Sequence, residues 1–308
     1  MPTVSVIIPT YNRASMVNEA IQSVLNQTYS DYEVIVVDDG STDNTFEGVN
    51  AFLDNRVRYV FQENRGRSNA RNHAINIARG RYIAFLDSDD LFMPIKLERQ
   101  VAFMENNPDI LLSHTSYLRI NNGGEYIEEV KSGTFSGKVY LDMVRRCPIA
   151  TPTVMVRTAA LGENIRFEEG IHIGEDIILW AQLARLSKIL GIDEPLTKIR
   201  INPSSAAVDP KTQIIGVMNI MEYIIRRHPE LPFLVRHKLL SDGYFNIGFN
   251  YLRAREITQF LRFLVLAIFE QPFNPPFFVM RRLSTVFNLK SIDRGLEFIE
   301  RLVLTEQV

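Results

Sequence analysis

Tyr82-Ile83-Ala84-Phe85-Leu86-Asp87-Ser88-Asp89-Asp90 decides how this chain is read. Five apolar residues run without interruption into four that include three carboxylates. The same order occurs upstream, where Val34-Ile35-Val36-Val37 leads into Asp38-Asp39-Gly40-Ser41. Short continuous apolar runs describe strands buried on both faces, as in parallel sheets. In an open α/β sheet, ligands sit outside the carboxyl ends of the strands. Both acidic clusters are therefore expected at one crevice. Two carboxylates ~4 Å apart repel by ~4 kcal/mol at a surface-like dielectric. Such a crowd needs a cation, a donor-rich ligand, or both. It points to a metal-assisted site for a phosphorylated, base-bearing substrate.

Working outward, residues 4–8, 34–37, 57–61 and 82–86 read as buried strands. Helical patterns lie between them at 14–25, 45–53 and 68–78, and another runs from Pro94, in its first turn, to 106. This alternation predicts a parallel sheet with right-handed crossovers. From 108 the elements shorten: a strand at 110–118, a hairpin turn at Asn121-Asn122-Gly123-Gly124, and a helix at 136–145. A strand at 153–156, a helix at 175–186 and a last strand at 196–201 follow. The loop Asn202-Pro203-Ser204-Ser205 is the expected domain boundary. It separates a domain of residues 1–205, with halves 1–107 and 108–205, from a helical region, 206–308. The latter is broken at Pro229, Pro232, Pro272 and Pro275-Pro276.

The net charge of -2 gives no global basic field, so no nucleic-acid partner is expected. A single cysteine, Cys147, excludes an intramolecular disulfide and fits a reducing, cytoplasmic setting. No histidine pattern supports it as a nucleophile. The chain opens directly into a strand, without the profile of a signal peptide. No stretch approaches the ~20 apolar residues that span a bilayer. Residues 260–269, interrupted by Arg262, suit a helix lying on a membrane rather than crossing it.

Several segments have residues able to do chemistry. Asp87 and Asp89, alternating at a strand end, suit Mg²⁺ or Mn²⁺ through oxygen ligands; the competing reading is a solvated turn that caps a helix. In Asp38-Asp39-Gly40-Ser41-Thr42-Asp43, one carboxylate can accept from a base and its neighbour from ribose hydroxyls, with Gly40 allowing close backbone approach. A turn with a helix cap is the alternative. Tyr11, in Pro9-Thr10-Tyr11-Asn12-Arg13, is either a base-stacking ring or a packed loop aromatic. The segment Asn64-Arg65-Gly66-Arg67-Ser68-Asn69-Ala70-Arg71-Asn72 enters a helix with Arg67 and Arg71 on one face, which favours phosphate. It lacks the P-loop pattern. Asp176, in Gly174-Glu175-Asp176, is the best placed spare carboxylate for a general base, although acids at helix starts also serve the dipole. His172 precedes it by four residues. Trp180 reads as core or as the floor of an acceptor pocket.

In this order and spacing, Ser5-Val6-Ile7-Ile8-Pro9-Thr10-Tyr11-Asn12, Val37 to Asp43, Asn64 to Asn72, Phe85 to Asp90 and Gly174-Glu175-Asp176 resemble a family 2 glycosyltransferase over residues 3–205. The resemblance implies a GT-A fold: an α/β, Rossmann-like, mostly parallel central sheet flanked by helices. The C-terminal all-helical extension lies outside it. It implies inverting transfer from a nucleotide-diphosphate sugar, a UDP-sugar foremost with dTDP and GDP open, to a hydroxyl of a glycan or lipid-linked acceptor. Mn²⁺ or Mg²⁺ would assist.

On this resemblance, residues 1–107 form the nucleotide-sugar half and 108–205 the acceptor half. Pro9, Tyr11, Asp38, Asp39, Arg71, Asp87 and Ser88 hold the donor. Tyr11 packs on the base, Asp39 accepts from it, Arg71 lies near base or diphosphate, and Asp87 lies near the ribose. Asp89 is the metal ligand of the DxD motif, and Asp176 is the inverting base. Asn202 stands where family members often carry a metal-joining histidine. The expected setting is cell-envelope polysaccharide synthesis; outside the resemblance, residues 206–308 suit peripheral membrane contact, with a helical pack against the first domain or a homodimer interface as the alternatives. A phosphohydrolase of the haloacid dehalogenase type using Asp87, and a catalytically silent binding module, are the competing readings.

Overall fold

Alternation with period 2 sorts the apolar residues of the first strands onto two faces, and helices cover both. The structure, a computed structural model, describes residues 1–145, 147–201 and 209–270. The chain divides into two compact units, Met1–Ala207 and Val208–Val308.

The first unit alternates β1 (Val4–Thr10), α1 (Ala14–Leu25), β2 (Tyr32–Asp38), α2 (Thr45–Asn50), β3 (Val57–Phe61), α3 (Arg67–Ile77) and β4 (Tyr82–Phe85). Then come β5 (Leu91–Phe92), α4 (Lys96–Asn106), β6 (Leu112–Ile120), β7 (Tyr126–Val130), α5 (Tyr140–Arg145), β8 (Met155–Arg157), α6 (Glu175–Leu186) and β9 (Ile189–Arg200). The sheet order is β3-β2-β1-β4-β8-β6-β9-β5, with β7 paired to β6. The strands β3, β2, β1 and β4 are parallel, with Val6 opposite Val34 and Ala84. Beyond β4 the sheet is mixed: β8 is antiparallel to β4 and β6, and β9 runs parallel to β6.

Ile7, Ile35, Ile83 and Phe85 share one core with Trp180 and Leu183 of α6. Val6, Ile8, Val34 and Val36 share the other with Val17 and Ile21 of α1 and Leu97 of α4. Trp180 is fully buried between Phe85, at 5.5 Å, and Phe167, at 6.0 Å. It is a core residue and floors no pocket.

Three local expectations need correction. First, β3 is an edge strand, half-buried rather than buried, and its Phe61 is exposed. Second, the helix expected at 136–145 covers only Tyr140–Arg145, because Gly137 pairs instead with Ile189 in both backbone directions, at 2.7 and 3.0 Å. Third, the last strand begins at Ile189 rather than 196. Pro195 lies within it, where the pairing with β6 shifts register between Thr115 and Tyr117. A bulge is where a strand tolerates proline.

The second unit contains α7 (Pro210–Arg227), α8 (Phe233–Arg253) and α9 (Ile257–Glu270). Asp209 caps α7 by accepting from the Thr212 amide at 2.8 Å. Ile214, Met221, Leu240 and Ile247 form its core. Ile257, Leu261, Val265 and Phe269 leave an exposed apolar stripe along α9. Among the described residues, no helix is long and apolar enough to cross a membrane. Asn202 and the proline breaks at 272–276 lie outside the described residues.

Lys96 is fully buried; its Nζ donates to Gln100 Oε1 at 2.5 Å and lies 4.3 Å from the Phe92 ring centroid. Burial pulls its pKa from 10.5 to about 7. Across that window the unfolded chain holds a proton that the folded chain does not. Stability from this group therefore rises with pH from about 7 to about 10. Lys96→Met should flatten the rise. Urea midpoints of the two proteins across this range check it, and an equal gain in both would contradict it.

Candidate active site

The carboxyl ends of β1, β2 and β4 open into a crevice of about 640 Å³. It is lined by Pro9, Tyr11, Arg13, Asp39, Arg71, Asp87, Ser88 and Asp89 among others. The parallel register that aligns Thr10 with Asp38 brings the first two acidic or aromatic loops side by side. Asn12 stitches them together. Its amide donates to Ser41 Oγ at 2.8 Å, and its Oδ1 accepts from the Thr42 amide at 2.7 Å. Tyr11, held by this stitch, is 49 % exposed and presents a free ring.

Asp38 and Asp39 are neighbours with opposite fates. The Asp38 carboxylate is buried, accepting from the Ser41 amide at 2.8 Å and the Tyr59 hydroxyl at 2.6 Å. It does not line the crevice. Both its oxygens are engaged within the fold. Burial, together with Asp38, holds the Tyr59 phenol protonated well beyond its usual range. Asp39 does line the crevice. Its Oδ1 accepts from Gln62 Nε2 at 2.7 Å and the Arg65 amide at 3.0 Å, and its Oδ2 accepts from the Gly66 amide at 2.8 Å. A carboxylate offers about four lone-pair sites, so Oδ2 retains capacity for one more donor.

Gly40 and Gly66 both have φ of +87°, the left-handed region that favours glycine. A side chain at Gly40 would put Cβ 2.9 Å from the Asn64 amide nitrogen. These two turns close the Asp38–Asp39 loop against the 64–72 loop.

Arg71 is buried and lies at the back of the crevice. Its Nη2 donates to Asp87 Oδ1 at 2.6 Å and its Nη1 to Glu175 Oε1 at 3.0 Å. Burial would lower its proton affinity, but Asp87 and Glu175 more than reverse this and hold the charge firmly. Arg67 reaches the same Glu175 oxygen at 3.3 Å and the His172 carbonyl at 2.5 Å. The two arginines thus share a face, and that face is spent on Glu175. Burial and the adjacent Asp176 raise the Glu175 carboxyl, while Arg71 and Arg67 pull it down. His172 is exposed, lines the crevice and lies beside Gly66.

At the end of β4, Asp87, Ser88, Asp89 and Asp90 form one turn, closed by the Asp90 amide on the Asp87 carbonyl at 3.0 Å. Arg13 makes an ion pair with the Asp89 carboxylate. Asp90 is buried, and burial plus the charges of Asp87 and Asp89 push its carboxyl well up. Among the described residues, no three His, Cys, Asp or Glu side chains gather as a ready metal cage. Asp87 and Asp89 still suit a hard divalent cation, whose remaining ligands would be diphosphate oxygens and water. The guanidinium on Asp89 shows that this position accepts positive charge.

Asp176 opens α6 and is partly buried, outside the crevice lining. Its Oδ2 accepts from Thr151 Oγ1 at 2.8 Å and its Oδ1 from the Ile177 amide at 2.8 Å. Burial first, and Asp176 second, push the Cys147 thiol far up, which agrees with an inert cysteine. Sequence reasoning gave no role to Asn12, Gln62 or Arg200. Their polar side chains inside loop or strand patterns carry no distinctive spacing.

The chain belongs to glycosyl transferase family 2, whose model matches residues 5–160. It is 47 % identical over 224 residues to an uncharacterized glycosyltransferase of Rickettsia felis, covering 72 % of this chain and 37 % of that protein. The chain thus spans little more than a third of that relative's length. It is 33 % identical over 257 residues to UDP-Glc:alpha-D-GlcNAc-diphosphoundecaprenol beta-1,3-glucosyltransferase WfaP of Escherichia coli, covering 80 % of this chain and 94 % of WfaP. Among solved structures, S. aureus TarS 1–349 matches with a TM-score of 0.63 at 23 % identity, over 98 % of this chain and 92 % of that one. The mannosyltransferase PcManGT from Pyrobaculum calidifontis, in complex with GDP-Man and Mn²⁺, matches at 0.61 and 17 % identity, over 98 % and 85 %. These likenesses show the GT-A fold.

The different duties of Asp38 and Asp39 can be separated. Asp38→Asn should destabilise the fold by ~1.5–3 kcal/mol through its charged hydrogen bonds, while leaving UDP affinity unchanged in the folded fraction. Urea unfolding and UDP titration check this. Weakened UDP binding at full stability would return Asp38 to the site.

Proposed function

We propose that this protein transfers a sugar from a nucleotide-diphosphate sugar, a UDP-sugar, to a hydroxyl of a lipid-linked glycan, with inversion at the anomeric carbon. The observation that carries this is the meeting of Tyr11, Asp39, Asp87 and Asp89 at one crevice on the carboxyl ends of three parallel strands. That set offers a ring for a base, an acceptor for an imide N–H, and two carboxylates for a cation–diphosphate. The name of WfaP, a UDP-Glc-dependent enzyme acting on a diphosphoundecaprenol acceptor, supports the donor and acceptor classes.

In this reading Tyr11 stacks on the base and Pro9 packs beside it. The spare lone pair of Asp39 Oδ2 accepts from the base. Asp87, braced by Arg71, faces the ribose, with Ser88 next to it. Asp89, paired with Arg13, is the residue that would hold Mn²⁺ or Mg²⁺. When bound, such an ion neutralises charge on the departing diphosphate. The presence of Mn²⁺ in the PcManGT complex supports divalent-metal use.

Asp176 takes the proton from the acceptor hydroxyl. Its neighbour Glu175 cannot serve, because it is buried and held by two arginines. Asp176 is more exposed and carries only a hydroxyl and an amide donor. The two halves, 1–107 and 108–205, then divide donor and acceptor duties. The apolar stripe on α9 supports peripheral contact of 206–308 with the cytoplasmic face of a membrane bearing the acceptor. A homodimer is the competing use of that stripe.

The family match favours transfer over phosphohydrolysis at Asp87, and turnover separates an enzyme from a silent module. Asp176→Ala should lower kcat by ~10²–10⁴-fold, the span of general base catalysis, and leave UDP-sugar binding intact. Asp89→Ala should remove the Mn²⁺-dependent part of donor binding. Radiolabelled transfer to a diphospholipid acceptor, with parallel calorimetric titrations, reads both. Wild-type transfer rates in both variants would discard the assignment.

A further inference from the structure

Arg200, the last residue of β9, has a side chain only 4 % exposed, and all three guanidinium nitrogens are bonded. Its Nε donates to the Asp89 carbonyl at 3.0 Å. Its Nη1 donates to the Asn122 carbonyl at 2.6 Å and its Nη2 to Glu19 Oε2 at 2.8 Å. Its own backbone amide donates to Asp90 Oδ1 at 2.8 Å. One residue therefore ties the end of β9 to the acidic turn after β4, to the β6–β7 hairpin turn and to α1.

The acidic turn packs three carboxylates into four residues, and their repulsion favours spreading. Two arginines oppose it at different atoms, and both border the crevice. Arg13 meets the Asp89 carboxylate. Arg200 meets the Asp89 backbone carbonyl. A bond to the carbonyl orients the peptide and leaves the carboxylate free for another partner. The planar guanidinium fork reaches the Asp89 and Asn122 carbonyls and Glu19 together, which a lysine ammonium cannot reproduce in geometry.

We propose that Arg200 is a positioning residue that sets the 87–90 turn, aims the Asp89 carboxylate into the crevice, and so governs affinity for the divalent-ion complex of the nucleotide. This rests on the reading of Asp89 as the cation ligand. Arg200 borders the crevice, but its guanidinium is committed to protein partners, and in this inference it acts through the peptide of Asp89.

The test is calorimetric titration of UDP into the full chain, with and without Mn²⁺, for wild type, Arg200→Lys, Arg200→Met and Glu19→Gln, with thermal melts alongside. Loss of an outer residue that orients a metal ligand typically costs ~10–100-fold in metal affinity. The gain in UDP affinity on adding Mn²⁺ should shrink by that factor in Arg200→Lys and Arg200→Met, and UDP affinity without Mn²⁺ should be unchanged. Glu19→Gln, at an end that is 57 % exposed, should retain the gain. If Arg200→Met does not fold, Arg200→Lys decides alone. A full Mn²⁺ gain in Arg200→Lys, or an equal loss with and without Mn²⁺, overturns the inference. A wild type that binds UDP with no Mn²⁺ gain at all overturns instead the metal reading beneath it, and the inference with it.

Discussion

The Arg71 guanidinium, buried between Asp87 and Glu175, is the interaction on which the site depends. It joins three elements distant in sequence: α3, the end of β4 and the start of α6. A buried charge of this kind is tolerated only when paired and hydrogen-bonded. Here each partner is a carboxylate with its own reason to need neutralising. Asp87 belongs to a turn crowded with negative charge. Glu175 is itself buried and next to Asp176. One cation relieves both, with Arg67 as a second contact on Glu175. The acid at the end of β4 and the acid at the start of α6 are thereby held by a common post.

This bracing explains which acids are free. Glu175 is spent on Arg71 and Arg67, and Asp38 on Tyr59 and Ser41, while Asp87 gives one oxygen to Arg71 and still lines the crevice. Asp39, Asp89 and Asp176 each keep capacity for an outside partner. In the proposed reaction these serve base, cation and acceptor proton respectively. The loops are tied by side chain–backbone bonds from Asn12 and Asp39, so the crevice is built before any ligand enters. Preorganisation of this kind lowers the ordering cost of binding.

Much of this was legible in the residues. Apolar runs stopping at carboxylates located β2, β4 and the crevice, because a buried parallel strand must end where ligands gather. Legibility failed where tertiary context decided. Asp38 and Asp39 are identical in type, and only the pairing with β3 placed Tyr59 against one of them. The first half of β9 was hidden by Gly191, Asp193 and Pro195, residue types depleted in strands, in a segment that pairs with β6 across a register shift. Val57–Phe61 looked like a core strand because its composition is apolar; edge position is a property of sheet order, not of one segment. Arg200 carried no motif of its own, since two of its three guanidinium partners are backbone carbonyls, which carry no sequence identity.

The central claim is that Arg71 holds, and is held by, its two carboxylates. A double-mutant cycle of Arg71→Met and Glu175→Gln, read by urea unfolding, tests it most directly. Losing one partner of a buried ion pair typically costs ~3–5 kcal/mol, so Arg71→Met alone should cost that much. The double variant should then cost clearly less than the sum of the two single ones. Additive effects, or an Arg71→Met protein as stable as wild type, would contradict the account.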